Sequence, residues 1–132
     1  MKMSFYIDLI LDADNLSCSV AYPLDLAGYE VAVKYLAIPK TFENTIEIVQ
    51  LRSNIVTAYP FFDSKDNLLT AAVHDTHYSK HFIHEPVSPQ YRPVSCGRLY
   101  DMRFTIVDEK DKALEIPEGK IIITLHFRQG KY

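Results

Sequence analysis

The stretch Lys120-Ile121-Ile122-Ile123-Thr124-Leu125-His126-Phe127-Arg128 decides the fold. Ile121, Ile123, Leu125 and Phe127 alternate with Ile122, Thr124, His126 and Arg128. The period is two, not 3.6. In an extended chain one set lines a core face and the other a more polar face.

The same period recurs along the chain. Phe5, Ile7, Leu9 and Leu11 alternate with Tyr6, Asp8 and Ile10, and Leu16, Cys18, Val20 and Tyr22 with Ser17, Ser19 and Ala21. Tyr29, Val31, Val33, Tyr35 and Ala37 alternate with Glu30, Ala32 and Lys34, and Tyr100, Met102, Phe104 and Ile106 with Asp101, Arg103 and Thr105. Each is expected to form a half-buried strand. Weaker strands are expected at 45–51, 54–59 and 68–73, with short pieces near 81–84 and 113–116. Turn chemistry separates them: Asp12-Ala13-Asp14-Asn15, Pro39, Asp63 to Asn67, the proline-bearing stretch 86–93, Asp108 to Lys112, and Pro117-Glu118-Gly119. Many short strands without a long amphipathic helix predict an all-β, two-sheet antiparallel sandwich. The strand number and long connections suit a jelly roll, with the segment 74–98 as an excursion from it.

Composition bounds the rest. The 132 residues fit one domain, spanning 1–132, and an apolar share of 48% supports a real core. A net charge of -3 is not the basic footprint of a nucleic-acid binder. No apolar run approaches the roughly 20 residues of a membrane-spanning helix. Asp8 breaks the apolar start of the chain, so export by a signal peptide is not expected. The four glycines, Gly28, Gly97, Gly119 and Gly130, cannot build a phosphate-binding loop. Cys18 and Cys96 have no spacing that marks a disulfide framework or zinc knuckle, and reduced thiols are expected.

Chemistry concentrates at one place. His74, His77, His81 and His84 follow one another at spacings of three, four and three, with Asp75 and Glu85 nearby. On a helix they would share a face and present metal ligands. On strands they would divide, His74 and His84 to one side, His77 and His81 to the other. No His-Glu-x-x-His or Cys-x-x-Cys signature accompanies them, so surface histidines are the expectation, with no metal or cofactor assigned. Such a cluster would also be a candidate pH sensor. The carboxylates Asp63/Asp66 and Asp108/Glu109/Asp111 fall in predicted turns, where solvated charge is expected rather than a catalytic pair. No Gly-x-Ser-x-Gly elbow is present, and no catalytic residue is assigned.

Two longer stretches carry a resemblance. One runs Tyr29-Glu30-Val31-Ala32-Val33-Lys34-Tyr35-Leu36-Ala37-Ile38-Pro39-Lys40-Thr41-Phe42-Glu43-Asn44. The other runs from Pro93-Val94 through Tyr100 to Asp108 and on to Gly119-Lys120 and the closing Leu125-His126-Phe127-Arg128. Together with Phe5-Tyr6-Ile7 and Asp66-Asn67-Leu68-Leu69, they resemble the capsid-associated proteins of Polinton (Maverick) and adintovirus-like elements. Tyr29 stands where that family usually has Trp. The resemblance implies a virion structural protein, a minor capsid, penton or vertex-associated component located in the virion. It would be made in the host cytoplasm or nucleus. It would not be an enzyme, and its partners would be copies of itself, as trimers or pentamers, and other capsid proteins. A chain this short suits one jelly roll rather than two. The competing readings are a receptor- or glycan-binding spike module on the same scaffold and, more remotely, a metal-dependent enzyme using His74–His84.

Overall fold

The computed structural model describes residues 3–39, 46–56, 68–73, 81–94 and 97–130. They form nine strands: β1 (Ser4–Asp12), β2 (Ser17–Asp25), β3 (Tyr29–Pro39), β4 (Ile48–Ser53), β5 (Leu68–Val73), β6 (His81–His84), β7 (Arg92–Pro93), β8 (Arg98–Val107) and β9 (Lys120–Gln129). All pairings are antiparallel, and they build two sheets. One has the order β1-β9-β3-β6, with β7 also on β3; the other has the order β2-β8-β4-β5.

β6 and β7 are two halves of one edge strand. β6 pairs with Leu36–Pro39 at one end of β3, and β7 with Glu30 and Val31 at the other. Pro86 and Pro89 lie between them and offer no N–H to a ladder, so the strand breaks and residues 85–91 leave the sheet as a strap. Counted as one strand, β6/β7 completes an eight-stranded jelly roll in which successive strands alternate between sheets at the start and finish of the chain. The expected excursion at 74–98 is corrected here. Residues 81–84 and 92–93 close a sheet, and residues 85–91 depart from it as the strap; 74–80, 95 and 96 lie outside the described residues.

β9 lies between β1 and β3, and its inward residues Ile121, Ile123, Leu125 and Phe127 have no exposed surface. Each contributes about 1.5–3 kcal/mol by burial. They meet Val31, Val33, Leu36 and Ile38 of β3, and Leu51, Met102, Phe104 and Ile106 of the other sheet, in one core.

Three expectations are corrected. On β3 the register slips between Val33 and Tyr35, so one extra residue is accommodated opposite β9. Val31 and Val33 face inward before this bulge, and Leu36 and Ile38 after it. Tyr35 and Ala37, expected on the core face, therefore turn outward. Residues 54–56 are not a strand: Asn54 turns off β4 and takes the amide of Arg103 on its Oδ1 at 2.7 Å. Residues 57–59 lie outside the described residues. At 113–116 a single bridge, Ala113 to Val107, replaces the expected strand.

The two long seams between the sheets differ. At the β5/β6 side, Thr70 Oγ1 and His84 Nε2 are hydrogen-bonded at 3.2 Å, and Arg92 Nη1 donates to the Leu68 carbonyl at 2.9 Å. Both bonds cross from sheet to sheet and close that seam. At the β1/β2 side the inward side chains Phe5, Ile7, Leu9, Cys18, Val20 and Leu24 are half-buried.

Candidate functional site

The most organised polar cluster lies on the outer face of the β1-β9-β3 sheet. Register places Tyr6 of β1, His126 of β9 and Ala32 of β3 in one row, with Arg128 beside Glu30 in the next row of the same face. Tyr6 and His126 stack with ring centroids 4.4 Å apart. Tyr91, at the end of the strap, brings its Oη to within 2.6 Å of His126 Nδ1. The Arg128 guanidinium lies 3.4 Å over the Tyr91 ring, and its Nε donates to Glu30 Oε1 at 2.6 Å. A cation held over an aromatic face is favourable by about 0.5–2 kcal/mol. Ala32 has no exposed surface although its side chain points outward. A small residue at this position lets the strap come down against the sheet.

The surroundings of His126 favour its neutral form. Burial lowers its pKa below the ordinary value, and the Lys34 and Arg128 charges lower it further. The cluster thus holds an uncharged imidazole clamped between two tyrosines, with a paired arginine beside it. Tyr6 stays 57% exposed and presents an aromatic surface to solvent. These groups can stack and hydrogen-bond a partner. A second feature runs across the same face. Ile10, Ile122, Ala37 and Ile83 form an apolar row over four strands, with Ile10 69% and Ile83 54% exposed.

The histidines at 74–84 are not gathered on a helix where they are described. His81 and His84 lie on strand β6, three residues apart, and so on opposite faces. His84 turns inward to Thr70, and burial lowers its pKa. His74, His77 and Asp75 lie outside the described residues. Among the described residues, no three His, Cys, Asp or Glu side chains converge to hold a metal ion.

The turn carboxylates serve the backbone. Asp108 Oδ1 accepts the amides of Lys110 and Lys112 at 2.8 and 2.9 Å. Glu109 Oε2 accepts those of Glu47 and Ile48, both at 3.3 Å. Asp111 pairs with Arg52. Asp63 and Asp66 lie outside the described residues. Cys18 carries a free thiol, raised in pKa first by burial; Cys96 lies outside the described residues.

Reading by sequence missed the His126 cluster. Its one signal was the even-numbered set of β9, where His126 and Arg128 share the outer face. Tyr91 arrives through the strap, which no local periodicity announces. No known family, curated protein or solved structure matches the chain.

Proposed function

We propose that this protein is a structural component of a virion, a minor capsid, penton or vertex-associated subunit that acts by self-assembly. The observation that carries the reading is the strand order, β1-β9-β3-β6/β7 over β2-β8-β4-β5, which is that of a single jelly roll. A fold alone hosts many functions. The resemblance of Tyr29–Asn44 and of the Leu125-His126-Phe127-Arg128 ending to element-encoded capsid proteins narrows it to coat building. Ile10, Ile122 and Ile83, the exposed members of the apolar row, add support, since exposed apolar surface of this kind favours protein contacts. Mass measurement in solution, with pull-down of coat proteins from particle-producing cells, tests the reading. Trimers, pentamers or a recovered coat protein are the expected results. A monomer at high concentration with no coat protein recovered overturns it.

Tyr6 favours a second reading, a receptor- or glycan-binding module. Its ring is exposed and backed by His126, with the Asp8 carboxylate on the same face. An aromatic face with a neighbouring acceptor suits the stacked ring and hydroxyls of a sugar. A glycan array probed with the wild-type protein and with Tyr6→Ala separates this reading from the first: binding lost in the variant supports it, and no binding at all removes it.

A further inference from the structure

We infer that β1 joins two copies of this chain edge to edge, antiparallel, about a two-fold axis at Ile7. The inference deepens the self-assembly reading and rests on it.

Exposed strand edges are templates for pairing, and proteins blunt them with prolines, bulges, breaks or short length. Three of the four edges here are blunted. β2 holds Pro23 and takes up three extra residues between its pairings Ser19↔Asp101 and Leu24↔Leu99. β6/β7 is broken by the strap. β5 is six residues long with a register shift. β1 is different. It runs nine residues, pairs with β9 in unbroken register and holds neither proline nor glycine. Among the described residues no strand pairs with its other side.

The ladder shows which groups that edge presents. Gln129 N donates to Met3 O at 3.1 Å, and Ala13 N to Gly119 O at 3.0 Å. Odd-numbered residues of β1 therefore address β9. Ser4, Tyr6, Asp8 and Ile10 direct their N–H and C=O groups outward.

The second observation is the open seam. Phe5, Ile7 and Leu9 point inward yet stay half-buried, whereas Leu11 is buried and the β9 residues beside them have no exposed surface. A strand added to β1 would cover those three.

A second copy supplies a matching strand. With Ile7 opposite Ile7 of the other copy, Phe5 faces Leu9 and Tyr6 faces Asp8, twice each. Every inward pair is apolar. Asp8 Oδ1 already accepts the Thr124 hydroxyl at 2.8 Å, so Oδ2 is the oxygen positioned for the other copy's tyrosine hydroxyl. Moving the axis to Asp8 opposes two carboxylates, which is unfavourable. Moving it to Leu9 sets Asp8 against Ile10 and leaves Phe5 uncovered. Such a contact is isologous and closes at two, so it links pairs rather than closing a ring.

Cysteine cross-linking reads the register. In a Cys18→Ser/Cys96→Ser background, Ile7→Cys would stand about 4.5 Å, Cα to Cα, from its counterpart, within disulfide reach. Leu9→Cys would stand about 14 Å from its own. Mild oxidation should give a covalent dimer from the first variant and none from the second. Hydrogen exchange on the wild-type protein checks the same contact without mutation. The amides of Tyr6, Asp8 and Ile10 should slow at least tenfold as concentration rises, while those of Ile7 and Leu9 stay unchanged. An assembly above monomer mass that neither cross-links at Ile7 nor protects those amides overturns the β1 contact and leaves self-assembly standing. Cross-linking at Leu9 overturns the register. A monomer at every concentration overturns both proposals, and a dimer that goes no further supports the β1 contact while counting against a larger coat.

Discussion

Thr70 Oγ1 and His84 Nε2 lie 3.2 Å apart, and the bond between them ties the edge of one sheet to the edge of the other. The imidazole lies in a half-buried seam, where burial disfavours its charged form. Burial lowers the pKa of His84 from 6.5, and His126 is lowered by burial, Lys34 and Arg128. Between the lowered values and the ordinary one, the unfolded chain binds more protons than the folded one. Stability is therefore full above the ordinary value and is lost as pH falls through the folded values. Thermal melts taken from about pH 7.5 down to about pH 5 should show a falling midpoint. His84→Gln should make the fall shallower, and His84→Gln with His126→Gln shallower still. A wild-type midpoint that does not move across this range would contradict the assignment.

Gly119 is held by geometry rather than by contact chemistry. Its φ is +112°, and a Cβ built there would come 2.7 Å from Pro39 Cγ. Gly119→Ala should cost about 2 kcal/mol or more in urea unfolding, from backbone strain and the clash together. Gly97→Ala, where nothing lies within 4 Å, should change stability by less than about 0.5 kcal/mol. Equal effects at the two sites would argue against the turn described.

Phe127 has no exposed surface and stacks on Phe5 at 5.1 Å. Phe127→Ala should destabilise by about 3–5 kcal/mol through lost burial and a residual cavity. Phe5→Ala, at the half-buried edge, should cost less. Denaturant midpoints of the two variants give the comparison directly.

Asp111, in the β8–β9 connection, sits at φ +65° and pairs with Arg52 of β4. Backbone and charge make separable contributions. Asp111→Asn keeps a residue that tolerates this conformation and loses the charge, costing about 0.5–1 kcal/mol. Asp111→Ala loses both and should cost more than Asp111→Gly. If Ala and Gly behave alike, the positive φ is not what the position requires.

The sandwich was legible because period-two patterning is written into single strands. β9 alone shows it in Ile121, Ile123, Leu125 and Phe127, and β1 repeats it. The bulge in β3 was not legible. Val31 and Val33 set one phase, Leu36 and Ile38 the opposite one, and a run such as Tyr35-Leu36-Ala37-Ile38 satisfies both. Only pairing against β9 decides where the extra residue goes. The two-piece edge strand was hidden for a related reason. Four residues at 81–84 and two at 92–93 are too short to carry a period, and their shared partner is β3, more than forty residues away in sequence. The His126 cluster joins β1, β3, β9 and the strap, so its members meet only after the sheet has formed.

The strap has a practical consequence. It leaves the sandwich after His84 and returns at Arg92, with Val87 wholly exposed between two sites of anchorage. Extra sequence placed there would lengthen a tethered loop without entering either ladder, and the entropic cost of lengthening such a loop grows slowly. An epitope or fluorophore tag inserted at Val87–Ser88 should therefore be displayed on the outside of a folded chain, and the same graft within β9 should prevent folding altogether.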